Sequence, residues 1–112
     1  MRNIMRVNNG VEWISVNELK QIVNNGKIND YEVIDLRERE EYKRRHIREA
    51  KNIPFDKFMK INDYSRVLTG RKTVIVYCVR GGSSIYAAYR LRDKGYSVKS
   101  LIGGMTEYEK YS

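Results

Sequence analysis

Thr73-Val74-Ile75-Val76-Tyr77 is a short β-branched and apolar run that ends on the chain's single cysteine, Cys78. A run of that length and composition reads as a strand buried on both faces. Val79, Arg80, Gly81 and Gly82 follow as a glycine loop, and Ser83 and Ser84 are residue types that cap a helix. Ser84, Ala87, Ala88 and Leu91 then share one helical face, with Tyr86, Arg90 and Asp93 opposite, and Gly95 is the stop signal. A buried strand that delivers a lone cysteine to a loop opening a helix admits few folds. It also sets the thiol where free backbone N–H groups and the helix dipole favour an anion. Two readings stand on this pattern alone. Cys78 is a buried, inert core residue beside a tight turn, or it is a nucleophile.

The length of 112 residues allows one domain with a real core, and the expectation is a single domain over residues 1–112 with Met1 to Gly10 as a loose lead-in. That lead-in lacks the apolar core of a signal peptide, and no apolar run is long enough to span a membrane. One cysteine excludes an internal disulfide, a cysteine-rich metal cluster and a resolving thiol partner, and the reducing cytoplasm is the simplest compartment. The net charge of +8 points to an anionic partner, either nucleic acid or a small anion. Much of the excess lies between Arg37 and Lys51, where Arg39, Lys43, Arg44, Arg45 and Arg48 interleave with Glu38, Glu40, Glu41 and Glu49. Charge mixed in that way reads as a solvated helix face, and no nucleic-acid motif accompanies it.

Along the chain, Glu12-Trp13-Ile14 reads as a strand, and Ser15-Val16-Asn17-Glu18 is a capping box for a helix whose Leu19, Ile22 and Val23 face inward. Asn25-Gly26 ends that helix. Asn29-Asp30 turns into the strand Glu32–Leu36, and a short helix covers Glu40 to Arg44. Phe55, Phe58, Met59 and Ile61 mark one short helix within Phe55 to Tyr64, and Gly70 closes a second short piece around Val67-Leu68. Tyr96 to Leu101 is the last strand, and Gly103-Gly104-Met105 turns into a final helix ending at Tyr111. Strands interleaved with helices in this order predict an α/β fold, a small and mostly parallel sheet of about five strands with helices on both faces.

Several stretches together resemble the rhodanese-like family of sulfurtransferases, over roughly Val11 to Tyr108. Cys78-Val79-Arg80-Gly81-Gly82-Ser83-Ser84 is similar to its active-site loop, in the version ending Gly-x-Ser-Ser. Asp35-Leu36-Arg37 matches an Asp-x-Arg turn at the end of a strand, which sets Asp35 and Arg37 near the site. Glu41-Tyr42 followed by His46-Ile47-Arg48-Glu49-Ala50-Lys51-Asn52-Ile53-Pro54 resembles a further signature, except that Glu49 stands where the family usually has glycine. Tyr108 stands where an aromatic, usually Trp, follows the Gly-Gly pair. The resemblance gives His46 a structural place at a turn rather than a general-base role.

The resemblance implies a reaction. The Cys78 thiolate takes the outer sulfur of a small anionic donor such as thiosulfate, and a thiol, cyanide or a protein acceptor removes it in a second half-reaction. No metal and no organic cofactor is implied. The backbone from Val79 to Ser84 forms a nest for the persulfide, with Ser83 and Ser84 adding hydroxyl donors. Arg80 either holds the donor's sulfonate or faces solvent. Two other readings are carried. A phosphatase of the same fold needs an arginine six residues after its cysteine, where this chain has Ser84. Non-catalytic rhodanese-like binding modules often lose the cysteine that is present here.

Overall fold

Strand β4 (Thr73–Tyr77) occupies the centre of a five-stranded sheet because its residues are apolar on both sides. Val74, Val76 and Cys78 point into one core, and Ile75 and Tyr77 into the other, as the two-residue strand period requires. The computed structural model describes residues 11–111, so the expected lead-in of residues 1–10 lies outside the described residues. In chain order the elements are β1 (Val11–Ile14), α1 (Val16–Asn24), β2 (Tyr31–Asp35), α2 (Arg39–Arg44), β3 (Lys51–Asn52), α3 (Phe55–Met59), β4, α4 (Ser84–Asp93), β5 (Val98–Leu101) and α5 (Gly104–Lys110). The sheet order is β1-β5-β4-β2-β3, and every pairing is parallel. This bears out the expected fold class.

Helices cover both faces. Phe58 of α3, Tyr64 and the Ala87, Ala88 and Leu91 stripe of α4 pack on the side of Val74 and Val76. Leu19 of α1 and Met105 of α5 pack on the side of Ile75 and Tyr77. The capping box forms at α1: Glu18 N–H donates to Ser15 Oγ at 3.1 Å, and Ser15 N–H donates to Glu18 Oε1 at 2.9 Å. Several boundaries differ from the sequence reading: β2 covers Tyr31–Asp35 instead of Glu32–Leu36, α2 starts at Arg39 and α5 ends at Lys110, and three further differences are larger. The segment expected as one short helix within Phe55 to Tyr64 ends at Met59, and a separate 3-10 turn, Tyr64–Arg66, begins where the Asp63 carboxylate takes the N–H of Ser65. The Asn29-Asp30 turn is the end of a 3-10 turn over Ile28–Asp30. Tyr96 precedes β5 and packs against the α4 core instead of extending the strand.

Arg90 reads from the sequence as lying on the face of α4 opposite its apolar stripe. It lies instead over Tyr64, donating from Nε to the Tyr64 hydroxyl at 2.8 Å and from Nη2 to the Ile61 carbonyl at 2.9 Å. Glu49 adopts φ 67°, so the turn where the family usually has glycine keeps a left-handed residue in spite of the glutamate. No helix of the described residues is long and apolar enough to cross a membrane.

Candidate active site

Cys78 leaves β4 at the carboxyl end of the sheet, the edge where parallel α/β folds bind ligands. Its sulfur accepts two backbone hydrogen bonds, from Gly81 N–H at 3.1 Å and from Ser84 N–H at 3.3 Å. Ser84 is the first residue of α4, so its N–H is one of the donors that a helix leaves unpaired at its start. The thiol therefore occupies the place expected for a serine cap. Neither serine caps α4 with its side chain. The Ser84 hydroxyl turns inward to Ser100 Oγ of β5 at 2.8 Å, and both residues are fully buried. Ser84 contributes its backbone to the sulfur, and its hydroxyl is taken up by the core.

The loop between is shaped by one glycine more than the other. Gly81 has φ 96°, and a Cβ there would meet Gly103 N at 3.3 Å, whereas Gly82 has open space around it. The N–H groups of Arg80, Gly82 and Ser83 have no acceptor among the described residues. Cys78 is 6% exposed and opens to a cleft of about 580 Å³ lined on the loop side by Val79, Arg80, Gly82 and Ser83. Leu36, Arg37, Glu38, Glu41, Phe55 and Asp56 complete the lining. Arg80 forms no ion pair within the described residues.

Asp35 and Arg37 are brought to this edge in different ways. Arg37 lines the cleft, but its guanidinium is held by Asp35, with Nε at 3.0 Å from Oδ1 and Nη2 at 2.8 Å from Oδ2. The Arg37 N–H adds a bond to Asp35 Oδ1 at 2.9 Å, and Nη2 also reaches the Arg45 carbonyl. Asp35 is fully buried and does not line the cleft. Its second partner is Tyr77 of β4, whose hydroxyl donates to Oδ2 at 2.7 Å and accepts from Ile47 N–H at 3.1 Å. Burial pushes the Tyr77 phenol well above its ordinary range, and the adjacent Asp35 carboxylate pushes the same way. The strand-end turn is thus a fully bonded polar cluster behind the cleft.

The Gly103-Gly104 pair does more than turn the chain. Gly104 has φ 63°, and a Cβ on it would lie 2.5 Å from the carbonyl oxygens of both Cys78 and Val79. That closeness lets the first N–H groups of α5 hold the cysteine loop: Met105 N–H donates to the Cys78 carbonyl and Thr106 N–H to the Val79 carbonyl, both at 2.9 Å. His46 lies away from the cleft, stacked on Tyr42 with ring centroids 3.9 Å apart and its Nδ1 2.8 Å from the Tyr42 carbonyl, in keeping with a structural role. Tyr108 packs against the second core, with the Lys20 ammonium 3.9 Å from its ring centroid.

Fold and site together define a parallel α/β domain that presents one cysteine from a strand-to-helix anion loop. Residues 15–111 match the family model described as the rhodanese-like domain, and the chain belongs to that family. Thiosulfate sulfurtransferase GlpE of Coxiella burnetii is 33% identical over 86 residues, covering 76% of this chain and 78% of that protein. The tRNA sulfurtransferase of Desulfurococcus amylolyticus is 38% identical over 76 residues, which span 68% of this chain but 14% of that much longer protein. The crystal structure of the BH2092 protein from Bacillus halodurans superposes with a TM-score of 0.80 at 30% identity, over 98% of this chain and 78% of that one.

Proposed function

We propose that this chain is a rhodanese-type sulfurtransferase that carries sulfur as a persulfide on Cys78, taking it from a small anionic donor such as thiosulfate. The observation that carries this reading is the pair of N–H groups, from Gly81 and Ser84, aimed at one cysteine sulfur at a helix start. Such donors stabilise sulfur as an anion, the nucleophilic form. The likeness to proteins named as sulfurtransferases supports the same reaction class.

In the first half-reaction the thiolate attacks the outer sulfur of thiosulfate. The Cys78 Sγ–S bond forms, the donor's S–S bond breaks, and its electron pair leaves with sulfite. The free N–H groups of Arg80, Gly82 and Ser83 then serve the outer, negatively charged sulfur, and Arg80 orients the donor's sulfonate. In the second half-reaction cyanide or a thiol takes that sulfur and returns the electron pair to Cys78, so two-substrate kinetics are ping-pong. Neither half-reaction uses a metal or an organic cofactor. A protein thiol is a further acceptor class, and the reducing cytoplasm, where a lone thiol stays free, is the compartment that suits this chemistry.

Mass spectrometry of the intact chain tests the reading. Thiosulfate adds the mass of one sulfur, cyanide removes it, and Cys78→Ser shows neither change. Sulfur transfer by the serine variant, or a parent chain that thiosulfate leaves unaltered, would overturn the assignment.

A further inference from the structure

The segment around helix α2 reads from its sequence as a mixed-charge solvated face, but the fold divides part of that charge between two concavities. Glu38 and Glu41 line the Cys78 cleft, whereas Arg39 and Lys43 face away from it into a second groove of about 420 Å³. Helix α3 repeats the division, with Asp56 at the cleft and its neighbour Lys57 in the groove. The groove is completed by Tyr42, Asn52 and Pro54, so it holds three cations and no acid. None of the three cations forms an ion pair within the described residues. Nearby Lys51, by contrast, is engaged with the Val67 carbonyl at 3.1 Å. Unpaired cations gathered from two helices into one concavity raise the local concentration of a polyanion.

We propose that this groove docks an acidic polypeptide segment of a protein sulfur acceptor, whose thiol-bearing end enters the cleft on the other side of α2 and α3; the acceptor part rests on the sulfurtransferase reading. Two features select polypeptide over nucleic acid. Sequence-tolerant binding of single strands uses free aromatic faces for base stacking, and Tyr42, the groove's aromatic residue, has none to offer. Its ring is stacked on His46, packs against the core and is tethered through its hydroxyl to the Ala50 carbonyl at 2.7 Å. The exposed aromatics Trp13, Tyr86 and Tyr111 lie outside the groove. The charge sorting also fixes the direction of docking. Glu38, Glu41 and Asp56 along the cleft disfavour a run of acids there, while Arg80 within it serves a small anion, so the acids seat on Arg39, Lys43 and Lys57 and the reactive end is free of carboxylates. In the transfer step the acceptor thiol's sulfur attacks the outer sulfur of the Cys78 persulfide, and the thiol's own proton passes to that outer sulfur. A new S–S bond forms on the acceptor, the bond to Cys78 Sγ breaks, and the electron pair remains on Cys78 as thiolate.

Fluorescence anisotropy with labelled synthetic probes tests the docking apart from the sulfur chemistry. The probes are a peptide with an Asp- and Glu-rich segment ahead of a serine, the same peptide with every acid replaced by its amide, and single-stranded RNA of equal charge. The acidic peptide binds the parent at least about tenfold more tightly than the amide peptide at low salt, and the preference shrinks as salt is added. The triple variant Arg39→Ala, Lys43→Ala, Lys57→Ala loses the preference, and Lys27→Ala, Arg71→Ala, Lys72→Ala, which removes equal charge elsewhere, keeps it. Equal losses in the two variants, or equal binding of acidic and amide peptides, overturn the groove. Tighter binding of the RNA with the same loss in the first variant overturns the polypeptide partner. A second measurement follows sulfur from the loaded parent to peptides with cysteine in place of the serine. Faster discharge onto the acidic peptide, lost only in the first triple variant, supports the acceptor role, and equal discharge onto both peptides removes it. A parent that never loads sulfur sinks the sulfurtransferase reading and the acceptor role together, while the anisotropy result still decides the groove.

Discussion

Gly104 and Cys78 approach so closely that a single added carbon on the glycine would sit 2.5 Å from the cysteine's carbonyl oxygen. The obstruction is backbone, which cannot swing aside as a side-chain tip can. Alanine at 104 would also have to hold φ 63°, at a cost of about 1–2 kcal/mol, with a further ~1–3 kcal/mol from the forced contact. Gly104→Ala is expected to lower unfolding stability by roughly 2–5 kcal/mol in urea titration. The folded fraction of that variant should also load sulfur poorly, because Met105 and Thr106 no longer hold the loop carbonyls.

Tyr77 gives the fold an alkaline limit. An unfolded tyrosine ionises near ~10, and burial, aided by the Asp35 carboxylate, raises the folded value above that. Above about pH 10 the folded chain keeps a proton that the unfolded chain has released, so this contribution is complete below that pH and declines as pH rises past it. Tyr64 and Tyr108 are shifted in the same direction by burial. Tyr77→Phe strips Asp35 of a donor and Ile47 N–H of its acceptor and should cost about 1–3 kcal/mol at neutral pH. Its stability should then fall less steeply above about pH 10, by close to one proton's worth, ~1.4 kcal/mol per pH unit. Urea midpoints measured on both sides of that pH check the slope, and equal slopes would remove Tyr77 as the titrating group.

Among the described residues Arg80 is the unpaired cation of a cleft whose other arginine is held by Asp35. Arg80→Ala should raise the donor's KM by about five- to a hundredfold, in line with the ~1–3 kcal/mol of a charge-assisted contact, and leave discharge to cyanide little changed. Steady-state kinetics with each substrate varied in turn separate the two half-reactions. An unchanged KM would leave the loop N–H groups as the anion site without help from Arg80.

At Glu49 the chain holds a left-handed conformation that glycine adopts more easily. Relief of about 1–2 kcal/mol of backbone strain, less the ~0.4–1 kcal/mol by which glycine loosens the unfolded chain, predicts that Glu49→Gly is stabilising by about 0.5–1 kcal/mol. The urea midpoint should rise with an unchanged slope.

What the sequence disclosed was local. The buried run ending at Cys78, the α1 capping box and the Gly95 stop each depend on residues within a few positions of one another, and all three stand in the structure. What it concealed was made by pairing. Ser84 reads as a cap until β5 sets Ser100 beside it. Tyr77 reads as one more apolar strand residue until Asp35 and Ile47 meet its hydroxyl from two other segments. Gly103-Gly104 announced a turn, but only the adjacency of β5 and β4 brings Gly104 under the cysteine loop. The signs along α2 could not be sorted before α3 fixed which side faces Cys78.

Because Cys78 Sγ receives the first N–H of α4, the atom proposed as nucleophile is also an acceptor for the start of that helix. Each event that changes the charge or bulk of that sulfur therefore changes how a ten-residue helix begins. Alkylation would uncap it, and under the proposed function sulfur loading would move the negative charge one bond outward. The chemical state of a single side chain is written into the backbone of the element that packs Ala87, Ala88 and Leu91 against the sheet.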